Sequence, residues 1–410
     1  KTGSMDGISN WAAMSLVTSG GNSYNGSSGF KIGADAADLI WEKANQVNVG
    51  INAELFNGRL TLSVDGYYQK TSGLLYNIST LATTGYTTRT ANIGSLENKG
   101  LEVMVSGKIF DGPFKWELAT NLSYTKNKLL SLDGVLDMKI NGGGANTGKV
   151  MHALMVGKPV SAFYMLRQDG IYQTDQEVPS KLYAKGVRAG DCKYFDYNND
   201  GDITDDDRMY VGKVTPDIYG GITSTMNWKN FDLSIFCQFA AGGKILSAWK
   251  GCGGTEGTEH LGLASSSIKG YKNGTLVDSE QFYNISKYAA NHYWRGEGTS
   301  NTVPRPTLAG TFTGGFGNNL VSTRYLEDAS YFKFKTITLG YSLPHSLLSK
   351  IHVTGARIFV SLDNFFTLTK YSGYDPEFSY ESNPTGNSYG ADFGEQATLK
   401  SFIIGASINF

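Results

Sequence analysis

Strict alternation of apolar and polar side chains runs through segment after segment of this chain, and it constrains the fold more than any other feature. Successive side chains of an extended strand point to opposite faces, so a period of two marks a sheet whose two faces meet different surroundings. In 231–239, Phe231, Leu233, Ile235, Cys237 and Phe239 fall on one face and Asp232, Ser234, Phe236 and Gln238 on the other. In 399–410, Phe402, Ile404, Ala406, Ile408 and Phe410 oppose Ser401, Ile403, Gly405, Ser407 and Asn409. In 47–55, Val47, Val49, Ile51, Ala53 and Leu55 oppose Asn48, Gly50, Asn52 and Glu54. The same split holds in 59–69, 101–109, 114–124, 221–228 and 356–363. In 331–343 the beat slips near Thr336, which predicts a bulge. Nine segments read as strands, with a weaker tenth around 10–18.

The connections sort by length. "NG" joins 47–56 to 59–74, "DGP" joins 95–110 to 114–129, "KN" joins 219–228 to 231–239, and "PHSLLSKIHVTG" joins the last pair but one. Between these hairpins lie long stretches at 75–94, 130–218, 240–330 and 368–398. Short turns at one end and long loops at the other is the layout of an all-β, transmembrane antiparallel barrel of the outer membrane. A soluble sandwich has no reason to sort its loops this way. Phe56, Phe110, Phe114, Trp116, Trp228, Phe231 and Phe410 all fall near the short-turn end. They predict an interfacial girdle, where amphipathic rings sit at head-group level; ordinary core packing at strand ends is the competing explanation. The opposite faces carry Asn48, Asn52, Asp65, Glu102, Lys115, Glu117, Asn121, Asp232, Gln238, Arg357 and Asp363. A wet lumen accounts for them, although the solvated face of a soluble sheet would carry the same residues.

Composition narrows the classes. Lys plus Arg (36) nearly balances Asp plus Glu (37), which argues against a nucleic-acid binder. With 51 Gly, 24 Tyr and only 9 Pro, the chain suits many strands and turns. Cys192, Cys237 and Cys252 make no disulfide framework. No run of apolar residues is long enough for a transmembrane helix. The opening "KTGSMDGISN" is not a signal peptide, so an exported form has its start upstream of Lys1. The five His residues are scattered, with no G-x-S-x-G or H-E-x-x-H motif, so nothing points to an enzyme.

One acidic stretch stands apart. "YFDYNNDGDITDDD" (194–207) places Asp196, Asn198 and Asp200 at alternate positions, then Gly201, Asp202, Ile203 and, twelfth from Asp196, Asp207. A Ca²⁺ ion takes six to eight oxygens, and alternate side chains on a tight turn converge on it. The predicted ligands are the Asp196, Asn198 and Asp200 side chains, the Asp202 carbonyl and Asp207, with Ile203 as anchor. Asp207 is shorter than the Glu that closes an EF-hand loop, and no flanking helices are predicted. The expected ion is structural; a solvated Asn/Asp turn is the alternative. Trp249, Tyr293, Trp294, Arg295 and Tyr371 lie in or near long loops. Their aromatic faces suit sugar stacking or peptide contact, with loop packing or contact with a partner as the plainer alternative.

Several stretches carry a family resemblance: "DLIWEKANQVNVGINAELFNGRLTLSVDGYYQKTSGLL", "NIGSLENKGLEV", "FDYNNDGDITDDDRMYVGKVTPDIYGGI", "YWRGEGTSNTVPRP", "YFKFKTITLGYSLP", "NFFTLTKYSGYDPE" and a C-terminal Phe. In this order they resemble the C-terminal half of SusC-type (SusC/RagA) TonB-dependent outer-membrane transporters. The resemblance implies a barrel of about 22 strands around an N-terminal plug, of which this chain would supply nine or ten strands and no plug. It implies a TonB complex acting through a region outside this chain. It also implies a SusD-like lipoprotein over the mouth, and is compatible with a dimer of transporter–lipoprotein pairs. The cargo would be an oligosaccharide or oligopeptide, imported across the outer membrane of a Gram-negative bacterium. With the C-terminus in the periplasm, the loops at 130–218 and 240–330 would be extracellular. An outer-membrane barrel enzyme and a soluble calcium-dependent glycan-binding β-protein remain the alternatives.

Overall fold

The computed structural model describes residues 2–4, 17–24, 27–32, 38–79, 88–132, 138–140, 151–251, 262–263, 271–272, 275–276, 286–308, 317–348, 353–377, 389–394 and 398–409. Ten strands form the main sheet: β1 (Thr2–Ser4), β2 (Glu42–Leu55), β3 (Leu60–Ser72), β4 (Ser95–Asp111), β5 (Phe114–Ser131), β6 (Ile218–Trp228), β7 (Phe231–Ala241), β8 (Tyr331–Ser342), β9 (Gly355–Thr369) and β10 (Ser401–Asn409). Each strand is hydrogen-bonded to its neighbour in sequence. The chain divides into two compact units: 1–105, 123–139 and 154–160 in the first, and 106–122, 140–153 and 161–410 in the second. The first carries β1 to β3, the second β6 to β10, and β4 and β5 contribute residues to both. Among the described residues no helix is long and apolar enough to cross a membrane.

All nine predicted strands are present; several run longer, such as Glu42–Leu55 and Phe114–Ser131, while 331–343 and 399–410 are trimmed to Tyr331–Ser342 and Ser401–Asn409. The weaker tenth, 10–18, lies largely outside the described residues; among those described, the tenth strand of the sheet is Thr2–Ser4, paired antiparallel with 42–44 of β2. Three residues are too few to show a period of two. Val17–Tyr24 pairs with Ser27–Ile32 in a separate hairpin, and 5–16 lie outside the described residues.

The predicted bulge falls where the alternation breaks. From Phe236 to Cys237, β7 advances one residue while β8 steps two, from Thr336 to Phe334, leaving Lys335 as the extra residue. Directly opposed residues share a face, so register tests the two-faced reading. Leu233 pairs with Leu339, Ile235 with Ile337 and Val360 with Ile404, an apolar row crossing four strands. Val49, Ile51 and Ile404 are each more than two-thirds exposed. An apolar face this open does not serve a water-soluble sheet.

The short turns match their chemistry. Phe56, Asn57 and Gly58 all have positive φ between β2 and β3, and Lys229 with φ 54° opens the two-residue turn between β6 and β7. Phe56, Phe110, Phe114, Trp228 and Phe231 are exposed at this end. Trp116 is stacked on Phe110 at 5.9 Å and donates its indole N–H to Ser224 Oγ at 2.9 Å. Phe410 lies outside the described residues.

On the opposite face of the sheet, Arg357 of β9 reaches across β8 to Asp232 of β7, with Nε at 2.9 Å and Nη2 at 2.5 Å from the two carboxylate oxygens. Gly340 lies beneath this pair; a Cβ there would stand 2.4 Å from both Arg357 and Asp232. A glycine in mid-strand therefore has a packing reason here.

The buried apolar residues sit chiefly in the long connections. In the second unit one cluster gathers Met151, Phe163, Met165, Leu246, Val321 and Tyr325, and another gathers Leu166, Tyr172, Leu182, Val187, Tyr194 and Ile203. The first unit has its own, around Ile93, Leu129, Leu132 and Leu154. The loops thus have cores of their own. Cys192 and Cys237 are buried free thiols, and Cys252 lies outside the described residues.

Candidate functional site

The connection from β5 to β6 folds around short antiparallel pairs. Ala162–Met165 pairs with Met209–Lys213, and Gln168–Ile171 with Cys192–Tyr194. The acidic loop lies between Cys192–Tyr194 and Met209–Lys213. Gly201 takes φ 77° and Asn199 φ 57°, so both adopt the left-handed region that the turn needs. Ile203 is buried in the cluster with Leu182 and Tyr194, as an anchor should be.

The loop's oxygens are engaged in specific ways. Asp196 accepts from Gly201 N at 2.7 Å and Asp200 N at 3.2 Å. Asn198 Oδ1 accepts from Asp200 N at 3.0 Å, and Asp200 Oδ1 from Asp202 N at 2.7 Å. Asp207 has no exposed surface; it accepts from Tyr197 N at 2.8 Å and Thr204 N at 2.7 Å. Lys185 donates to both Asp202 oxygens, at 2.6 and 2.5 Å, and holds that carboxyl below the usual carboxylate range. As a fit for calcium, the donor set is all oxygen, which suits a hard cation. Its carboxylates are turned to backbone N–H groups, and among the described residues no three His, Cys, Asp or Glu side chains gather as a metal cluster.

Two of the predicted loop aromatics come together. Trp249 sits in a short turn (Ala248–Lys250), and its Nε1 donates to Tyr371 Oη at 3.3 Å. Tyr371 in turn donates to Asp392 Oδ2 at 2.5 Å. Burial pushes the Tyr371 hydroxyl's pKa up, and the bond to Asp392 adds to it. Beside them, Glu327 accepts from Ser247 Oγ at 2.6 Å, Ser372 Oγ at 2.7 Å and Lys250 Nζ at 2.9 Å.

The other three candidates gather around 286–305. Trp294 donates Nε1 to Gln173 Oε1 at 3.2 Å, and its ring lies where a Cβ on Gly190 would be 2.4 Å away. Arg295 stands over the Tyr293 ring at 4.5 Å and donates to the Ala290 carbonyl at 3.2 Å. Their local contacts are those of a packed loop. Arg305 grips the buried Asp191 with two bonds, at 2.9 and 3.0 Å, tying this segment to the 160–213 region.

A site not foreseen from the sequence lies where β8 meets the chain leaving β9. Lys333, fully buried, donates to Asp375 Oδ1 at 2.9 Å and also contacts Glu377. Lys335, the bulge residue, reaches Glu377 at 2.8 Å, and Tyr331 Oη donates to Glu377 at 2.9 Å. Thr398 donates to Asp375. The "GYDPE" stretch carried these carboxylates, but nothing in its spacing named a lysine some 40 residues earlier as partner.

A family model described as "TonB dependent receptor-like, beta-barrel" matches residues 6–212. The chain is 30% identical over 380 residues to TonB-dependent receptor P3 of Formosa agariphila, covering 91% of this chain and 34% of that protein. It is 26% identical over 384 residues to TonB-dependent receptor SusC of Bacteroides thetaiotaomicron, covering 91% and 32%. The chain spans about a third of the length of the curated relatives it matches. The structure of the RagAB peptide transporter superposes with a TM-score of 0.73 at 23% identity, covering 100% of this chain and 39% of that one; this likeness is one of fold.

Proposed function

Because the chain belongs to the TonB dependent receptor-like β-barrel family, we propose that it forms wall and loops of an outer-membrane importer for an oligosaccharide or oligopeptide. The observation that carries this reading is the contrast within one sheet. Within the second unit, Leu339, Ile358, Ile404 and Ile408 present an open apolar face, while the opposite face carries charged groups such as Asp232 and Arg357. That is the arrangement of a strand wall between lipid and a wet lumen. It weighs against the soluble glycan-binding reading, which would leave this apolar face in water. No catalytic role is proposed.

Energy would come from a TonB complex, as the names of the TonB-dependent relatives imply. The relative named SusC and the RagAB fold likeness support a surface lipoprotein of the SusD type as partner, seated on the long connections. Those connections would be extracellular and the C-terminus periplasmic. Calcium in the 196–207 loop would shape the long connection before β6 without taking part in transport. Asp196, Asn198, Asp200, the Asp202 carbonyl and Asp207 would hold it.

The test is deletion of the encoding gene in the native bacterium, with growth scored on defined oligosaccharides and on defined oligopeptides. Loss of growth on one class, with a lipoprotein recovered stoichiometrically on purification in mild detergent, is the expected result. Unchanged growth on every substrate and recovery of barrel chains alone would overturn the reading.

A further inference from the structure

Beside the Trp249–Tyr371 contact lies a cleft of about 360 Å³, lined by Trp249, Ser372, Gly373, Tyr374 and Gly394. This volume lies within the range of small-molecule sites, about 300–1,000 Å³. We propose that the cleft is a stacking subsite for one neutral sugar ring of an oligosaccharide. The proposal rests on the importer reading and names the class of its cargo.

The walls are held rigidly from behind. Tyr371 is buried and fixed to Asp392, which also accepts from Gly394 N at 2.8 Å. Ser372 is fixed through N (2.9 Å) and Oγ (2.7 Å) to Glu327, the carboxylate that takes Lys250. Both segments that bound the cleft, 371–374 and 391–394, are therefore set before any ligand arrives, which lowers the ordering cost of binding. In contrast, Tyr374 keeps 78% of its surface exposed. A large aromatic left open beside a preformed cleft is a contact surface rather than core.

The chemistry favours a neutral sugar over a peptide or an acidic glycan. None of the five lining residues is charged. Among the described residues, the charges behind these walls are engaged: Asp392 accepts from Tyr371 and Gly394 N, and Glu327 pairs with Lys250, whose ammonium stands over the Trp249 ring 5.4 Å from its centroid. Among the described lining residues, no cation is offered to a carboxylate and no carboxylate to an ammonium. What the cleft does present is aromatic surface, a serine hydroxyl oxygen that can still accept while it donates to Glu327, and the backbone of two glycines that let the walls close on the Tyr371 ring and the Trp249 side chain, where a Cβ would stand 2.5 and 3.4 Å away. A pyranose has that complement: an apolar C–H face to lie on an aromatic ring and hydroxyls around its rim for hydrogen bonds.

The experiment measures equilibrium binding to the full-length protein in detergent. The probes are neutral hexasaccharides of glucose, mannose and galactose in α and β linkage, a uronic-acid hexasaccharide, and an uncharged hexapeptide. At least one neutral hexasaccharide is expected to bind. Trp249→Ala and Tyr374→Ala should each weaken it about tenfold, while Trp249→Phe keeps most of the affinity. If Trp249→Ala does not fold, Tyr374→Ala still decides, because that exposed ring contributes little to the folded core. Failure of every neutral hexasaccharide to bind, binding untouched by Tyr374→Ala, or tighter binding of the uronic-acid or peptide probe overturns the subsite. Growth on peptides that depends on this gene, with Trp249 and Tyr374 dispensable, would remove the sugar subsite and leave the importer standing. Absence of any gene-dependent uptake would remove the importer itself.

Discussion

Lys333 Nζ lies 2.9 Å from Asp375 Oδ1, with the two side chains keeping only 2% and 9% of their surface exposed. The pair ties the segment leaving β9 to the bulged stretch of β8, and Glu377 and Thr398 complete the cluster. Removing Lys333 leaves the buried Asp375 without its counterion, at a cost of about 3–5 kcal/mol, whereas removing Asp375 leaves Lys333 still paired with Glu377. Lys333→Met is expected to release the 370–377 segment to protease, and Lys333→Met combined with Asp375→Asn to restore much of the protection. A double-mutant cycle on thermal unfolding checks this; a coupling below about 0.5 kcal/mol would show the two residues acting independently.

The same cluster sets a pH dependence. Burial pushes the Asp375 and Glu377 carboxyls up, but their hydrogen bonds, from Thr398 and Lys333 to Asp375 and from Lys333 and Lys335 to Glu377, outweigh it. Both end below the usual carboxylate range. A carboxyl with a lowered folded pKa contributes stability that is fully present above its unfolded value, near 4, and is lost as pH falls through the folded value. Hydrogen exchange of 370–377 should therefore stay slow from about pH 7 to pH 4.5 and accelerate only below about pH 4. Acceleration already between neutral pH and pH 5 would contradict the ionised cluster.

The apolar row across β7 to β10 makes a positional prediction. Ile404 opposes Val360, and Gly405 opposes Phe359 on the other face. Spin labels placed singly at 404 and 405 are expected to report lipid and water respectively. Arg at 404 should cost about 2–4 kcal/mol if that residue lies near the bilayer midplane. Leu60, Leu62, Val64, Leu233, Ile235 and Ile408 belong to the same proposed lipid face. Equal accessibility at 404 and 405 would sink the assignment.

The acidic loop separates a structural carboxylate from surface ones. Asp207 is fully buried and holds the Tyr197 and Thr204 N–H groups, so Asp207→Ala leaves two partly buried donors without their acceptor, at about 1 kcal/mol. Asp200 is exposed, and Asp200→Ala should matter only if an ion is bound. Limited proteolysis with calcium and with chelator tests both. Asp207→Ala is expected to open the loop in either condition. Asp200→Ala should abolish only the protection that calcium adds, and wild-type protein cut equally fast in both conditions would remove the ion.

What the sequence determined by itself was the wall. A period of two is local, so it can be read one residue at a time, and it named nine strands, their two faces and the slip near Thr336 before any partner strand was known. The short turns were legible for the same reason, since "NG" and "KN" act within four residues. Tertiary structure decided what alternation cannot carry. Thr2–Ser4 is too short to show a period, and its place in the sheet rests on pairing with β2. Short strands such as Ala162–Met165 are buried on both faces, so they lack the contrast that marks a strand as half-exposed. The Lys333–Asp375 pair, the Arg357–Asp232 bridge over Gly340 and the Trp249–Tyr371–Asp392 chain join residues 21 to 125 positions apart. No local pattern connects such residues. Charge, hydrogen bonding and the absence of a Cβ choose partners through space, and only the folded chain brings them within reach.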